Sequence, residues 1–183
     1  MADYLKLIPF ILHWEGGYQK DPDDMSGTDT NKGITRTTWN SVYGTGDQSN
    51  ADFMSMPQDK WNHIFKTLYW DKIYGDQLIS QNIASMLVDF CWASGTHFPT
   101  IDTQDILIHA FSEHISEDGV FGPGTLKAVN EVDQDALYKA IIAKRLWFID
   151  QIILSHPTQI KWKNGWINRI NSLINFNTTG IIK

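Results

Sequence analysis

The apolar positions fall into helical registers along most of the chain, and the first register ends on a charge. Leu5, Ile8, Leu12 and Glu15 follow i, i+3, i+7, i+10, one face of an amphipathic helix. At about 100° per residue Glu15 lies between Ile8 and Ile11 on the helical wheel, so a carboxylate is aimed at an apolar interior. Gly16 and Gly17 supply a helix stop, because glycine takes the left-handed C′ conformation without steric cost. Glu15 is therefore expected in the last turn, where apolar neighbours and the negative end of the helix dipole both favour the protonated acid. A carboxylic acid that keeps its proton is what a general acid requires. The alternative is a surface glutamate at a frayed helix end.

Residues 18–35 are polar and turn-rich, with Asp21-Pro22, Ser26-Gly27 and Gly33 as punctuation, and predict an irregular β-hairpin or small lobe. Thr37 to Tyr43 reads as a short helix ended by Gly44, followed by a loop to about residue 54. Ser55-Met56-Pro57-Gln58 fits a capping box, opening a helix with Trp61, Ile64, Phe65 and Leu68 on one face. Gln77 to Ala93 is the most hydrophobic helix, with Ile83, Met86, Leu87, Phe90 and Cys91 at core spacing, and belongs at the centre of a bundle. Gly95 to Thr100 is the best candidate boundary, dividing 1–94 from 95–183, two parts expected to pack as one unit. Beyond it, Ile106, Leu107, Ala110 and Phe111 form a helical face, and Pro123 opens another helix after a glycine-rich turn. A long helix from about Gln134 to Leu154 is interrupted by Lys144 and Arg145, and a last one carries Trp166, Ile167, Ile170 and Leu173. The predicted fold class is mainly α, with a small β element.

Glu15-Gly16-Gly17-Tyr18, with Asp21-Pro22-Asp23-Asp24 and Thr30-Asn31-Lys32-Gly33-Ile34-Thr35, resembles glycoside hydrolase family 108. These are bacterial and phage N-acetylmuramidases with a lysozyme-like helical fold. The resemblance continues through Tyr69-Trp70-Asp71, Ala143-Lys144-Arg145-Leu146 and Gly165-Trp166-Ile167-Asn168-Arg169, to about Leu173. Asp89 to Gly95 keeps the family's aspartate and Ser-Gly, but Ala93 stands where the family has asparagine. Asp118-Gly119-Val120-Phe121-Gly122-Pro123 resembles the turn of small helical peptidoglycan-binding modules. The resemblance implies Glu15 as catalytic acid, cleavage of the β-1,4 bond between N-acetylmuramic acid and N-acetylglucosamine, and peptidoglycan glycan strands as partner. It also implies a carboxylate partner for Arg145.

Glycosidase chemistry usually needs a second group that stabilises positive charge or activates water. Asp24 lies nine residues after Glu15 and Thr30 fifteen after it, the glutamate, aspartate, threonine order that phage-type lysozymes, a more distant resemblance, also show. Asp23 and Asn31 are the alternatives for a register shifted by one, and Asp24 also reads as a turn-forming aspartate. Tyr69 and Trp70 could stack on sugar faces, although with 8 Trp and 13% aromatics most rings must be core. Tyr18, Asn31 and Asp89 complete the candidate substrate contacts. Asp89 reads equally as a cleft residue or as a core polar group bonded to backbone.

Composition narrows the picture. A chain of 183 residues suits one compact domain or a catalytic part with an appended module. A net charge of −6 argues against nucleic acid, and no run approaches the ~18 apolar residues of a membrane span. Cys91 is the single cysteine and reads as a buried thiol, since no internal disulfide is available to it. The six histidines lack zinc-ligand spacing, and the Asp-rich run has Met25 at a calcium-ligand position, so no metal or cofactor is expected. A monomer is expected. Leu5 to Leu12, broken by Lys6 and Pro9, reads as a first helix and not as a signal peptide. Such an enzyme would be made in a bacterial or phage-infected cytoplasm and reach the wall through a pore or with a trimmed leader. A lytic transglycosylase, a chitin or chitosan hydrolase, and a non-catalytic wall-binding or secretion-associated module are the rival readings.

Overall fold

The computed structural model describes residues 1–20 and 29–182. Its helices are α1 (Ile8–Trp14), α2 (Arg36–Tyr43), α3 (Asp47–Ser55), α4 (Gln58–Phe65), α5 (Gln81–Ser94), α6 (His97–Phe111), α7 (Pro123–Glu131), α8 (Gln134–Ser155) and α9 (Lys163–Thr179). Two short antiparallel strands, β1 (Thr30–Asn31) and β2 (Ile34–Thr35), make a hairpin. The fold is mainly α with that small β element.

α5 lies at the centre because it is apolar around nearly its whole circumference. Every residue from Ile83 to Cys91 is buried, and the helix packs against α6, α8 and α9. It starts at Gln81, later than the pattern predicts, since Gly75–Gln77 forms a separate 3-10 turn and the Ser80 side chain caps the Ile83 amide. Gly95 ends it at φ 75, and α6 begins two residues later. One cluster of buried side chains runs from Ala2 to Leu173. Pro123 opens α7, and Gly44 closes α2, as the sequence leads one to expect.

The first helix is phased differently from the prediction. Tyr4–Lys6 forms a 3-10 turn, and Pro9 sits in the first turn of α1. The tighter turn shifts the apolar face: Leu7, Ile8, Phe10 and Ile11 are buried while Leu5 is exposed. Nor is the stop a left-handed glycine. Trp14 is the last helical residue, Glu15 is extended at φ −94 and ψ 137, and Gly16 and Gly17 both avoid positive φ.

The loop expected before residue 54 is instead α3. Its anchor is Phe53, fully buried, with its ring edge-on to Trp39 and the Arg36 guanidinium 3.7 Å above its centre. The capping box at Ser55 does not form. Ser55 Oγ donates back to the Ala51 and Asp52 carbonyls, Met56 turns left-handed at φ 47, and Pro57 leads into α4. α4 then widens into a π-helical turn, Lys66–Trp70, which advances the phase of the face. Trp70 consequently lies fully buried, its Nε1 donating to Asp76 at 2.7 Å, and Tyr69 is left half-buried.

Replacing Phe53 with alanine removes the one ring that holds α3. We expect a loss of about 3–5 kcal/mol of stability, measured by urea denaturation followed by circular dichroism.

Candidate active site

The hairpin turns on Lys32 and Gly33, both at positive φ (45 and 77), with Asn31 paired to Ile34 and Thr30 to Thr35. Gln19 and Thr30 exchange two backbone hydrogen bonds of 2.7 and 2.8 Å, which bring the chain after Glu15 alongside β1. Trp61 Nε1 donates to the Lys32 carbonyl at 2.9 Å and pins the turn to α4. The Asn31 amide donates to the Phe53 and Met54 carbonyls and ties β1 to α3. Held this way, Gly33 presses on the Glu15 side chain. A Cβ at Gly33 would sit 2.6 Å from Glu15 Oε2 and 2.7 Å from Trp92 Cζ2, so the position needs glycine for its space as well as for its φ.

The Glu15 side chain is 16% exposed. Its Oε1 accepts from Trp92 Nε1 at 2.8 Å and from Arg169 Nη1 at 2.9 Å. Among the described residues nothing donates to Oε2. These surroundings correct the expectation of a carboxylate among aliphatic side chains: once the chain leaves the helix, Glu15 meets an indole N–H and a guanidinium. The Trp92 ring is itself wedged, with Tyr69, Trp61 and Phe65 at 4.8, 5.5 and 5.6 Å between centroids.

Behind Arg169 stands Asp89, completely buried on α5. Its Oδ1 accepts from Arg169 Nε at 2.9 Å and stands in ion-pair contact, without a hydrogen bond, 2.8 Å from Nη2, and its Oδ2 accepts from Arg145 Nη2 at 2.6 Å. Burial alone would raise the Asp89 carboxyl, but the charges and hydrogen bonds of Arg145 and Arg169 hold it below the usual carboxylate range. Burial pulls Arg169 the other way, and Asp89 and Glu15 outweigh it and keep the guanidinium charged. Glu15, Arg169, Asp89 and Arg145 thus form a chain of alternating charge.

Residues 8–95 match the family model of glycosyl hydrolase 108, and residues 100–171 match that of a predicted peptidoglycan domain. Residues 8–95 are a glycosyl hydrolase 108 domain. The structure is similar to that of Brucella abortus SagA, with a TM-score of 0.76 at 25% sequence identity, covering 96% of this chain and 93% of that one. No curated protein matches. The chain is a glycoside hydrolase, and the two matched regions together give it a role in peptidoglycan hydrolysis. The alternating charges cross between those regions, since Glu15 and Asp89 lie in the first and Arg145 and Arg169 in the second.

In this hydrolase the sequence candidates separate into several groups. Glu15, the hairpin that carries Thr30, and Tyr69 converge: Thr30 is half-buried in β1, and Tyr69 lies against Trp92, its hydroxyl raised by burial first and then by the charges of Cys91 and Glu15. Tyr18 is exposed and its hydroxyl hydrogen-bonds Asp29, which Arg36 clasps at 3.0 and 2.6 Å. Asn31 is buried and spends its amide protons on backbone, and Trp70 has no exposed face to offer a sugar. Asp89 is fully buried and not a cleft residue, and among the described residues its side chain bonds no backbone; it is the counter-ion of two arginines. Asp24 and its alternative Asp23 lie outside the described residues. Ala93 is exposed at a cavity of about 130 Å³, lined also by Phe90, Phe148, Trp166 and Arg169.

Two site residues escaped the sequence reading. Trp92 and Arg169 reach Glu15 from 77 and 154 positions away, distances over which periodicity is silent. Their only signal was the family-like runs that contain them.

Asp89→Ala would leave two buried guanidinium groups facing each other, and we expect it to cost about 3–5 kcal/mol in denaturant unfolding. The Asp29–Arg36 pair yields a pH signature. The Arg36 hydrogen bonds lower the Asp29 carboxyl from 3.8 to about 2, so its stabilisation is complete above the unfolded value and is lost as pH falls from about 4 towards 2. A melting-temperature profile across that window should flatten in Asp29→Asn.

Proposed function

We propose that the protein is an N-acetylmuramidase that cleaves the β-1,4 bond between N-acetylmuramic acid and N-acetylglucosamine, with Glu15 as general acid. The observation that carries this reading is the asymmetry of the Glu15 carboxylate. One oxygen is fixed by two N–H donors while the other, Oε2, has none among the described residues and lies against the hairpin turn. Oε2 is then the oxygen that carries the proton to the leaving glycosidic oxygen. Trp92 and Arg169 hold the side chain in place, so little reorganisation is needed when the bond breaks. Thr30, with Asp24 as the companion carboxylate, positions water or stabilises the developing positive charge, and Tyr69 is the aromatic neighbour best placed to meet a sugar. In this scheme residues 1–94 are the catalytic part, and residues 95–183 supply Arg145 and Arg169 together with wall recognition. The site of action is the cell wall, and the partner is the glycan strand.

Glu15→Gln keeps an acceptor for Trp92 and Arg169 but has no proton to give. It should fold normally by circular dichroism and lose clearing of purified cell walls by about 10²-fold or more. Mass spectrometry of the wild-type digest should show reducing N-acetylmuramic acid ends. Most of the activity surviving in the variant, or 1,6-anhydro ends in the digest, would overturn the proposal.

A further inference from the structure

The face of α9 that flanks Arg169 opens onto a second cleft. Asn168, Asn171, Ser172 and Asn175 stand at i, i+3, i+4 and i+7, and with Trp14, the residue before Glu15, they line a space of about 410 Å³. That lies in the ~300–1,000 Å³ range of small-ligand sites. Asn168 and Asn171 are exposed, and among the described residues their side-chain amides make no hydrogen bond. Asn175 donates to the Ile181 carbonyl at 2.6 Å and keeps its own side-chain oxygen. Trp14 Nε1 is buried and has no hydrogen-bond partner among the described residues. Among the described residues, the five side chains that line it are uncharged.

A free carboxamide offers donor and acceptor together, the complement of an acetamido group or a pair of sugar hydroxyls. An indole beside it suits the C–H face of a pyranose ring. Peptide stems bring carboxylates and amines, which call for charged partners, and among the described residues this lining has none. Two of the cleft's lining residues are chain neighbours of the ion pair at the site: Trp14 precedes Glu15, and Asn168 precedes Arg169, whose Nη1 lies 2.9 Å from Glu15 Oε1. We propose that Trp14, Asn168, Asn171 and Asn175 form a subsite for an uncharged N-acetylhexosamine unit of the glycan strand, flanking the bond broken at Glu15. Its place in catalysis rests on the muramidase reading; its binding chemistry does not.

The test titrates full-length Glu15→Gln protein with N,N′,N″-triacetylchitotriose, read by calorimetry and by the tryptophan indole N–H resonances. The Trp14 resonance should move. An Asn168→Ala/Asn171→Ala double variant of the same protein should bind roughly tenfold more weakly, the worth of one to two neutral hydrogen bonds. Cellotriose, which lacks the acetamido groups, should bind at least about tenfold more weakly than the acetylated trimer. No binding of the acetylated trimer, equal binding of cellotriose, unchanged affinity in the double variant, or a shift at Trp92 without one at Trp14 would each overturn the subsite. The muramidase reading fails separately, through wall clearing by Glu15→Gln with trimer binding intact.

Discussion

A carboxylate buried without any solvent contact is tolerated only when its charge is matched, and Asp89 is matched twice. Arg145 from α8 and Arg169 from α9 meet on it, which fixes where those two helices cross the central α5. Arg169 then has one nitrogen left for Glu15. The placement of the catalytic candidate is in this sense a by-product of charge neutralisation in the core. The local helix contributes less, since α1 has already ended when the chain reaches Glu15.

The hairpin supplies the opposite wall by a different means. Its strands are only two residues each, too short to hold themselves. Side-chain bonds from outside do the holding: Trp61 on the Lys32 carbonyl, and Asn31 on the carbonyls of α3. The same Trp61 packs on Trp92, which in turn bonds Glu15. Aromatic packing, turn geometry and carboxylate orientation are therefore one connected arrangement. Under the proposed mechanism such mutual constraint lets the carboxylate meet a developing charge with little movement.

Features with strong local causes were readable from the chain. The apolar runs of α5, α8 and α9, the glycine that ends α2 and the proline that opens α7 all act within a few residues. Glu15 stands out in the sequence as a charge on an apolar register, but that register is not kept, because α1 ends at Trp14 and Glu15 is extended. The missed features depend on distant partners. α3 has a single large buried ring, Phe53, whose pull comes from Trp39 and Arg36. The face of α1 slipped because a 3-10 turn precedes Pro9, and the face beyond α4 because a π-helical turn follows Phe65. Asp89 reads from the sequence as a cleft or a core residue, and the two guanidinium groups that decide it, one of them 80 positions away, lie beyond any local pattern. A pairing across such a span leaves no periodic trace.

The ion chain that crosses between the two matched regions has a consequence for how such proteins can be recombined. A chimera joining residues 1–95 to a foreign wall-recognition module would inherit the glutamate but not the cation that steadies it. It would also strand Asp89 in a greasy interior with no counter-charge. The seam after Gly95 is a boundary in the sequence without being a place where the molecule can be taken apart, and any graft that keeps the chemistry must carry α8 and α9 with it.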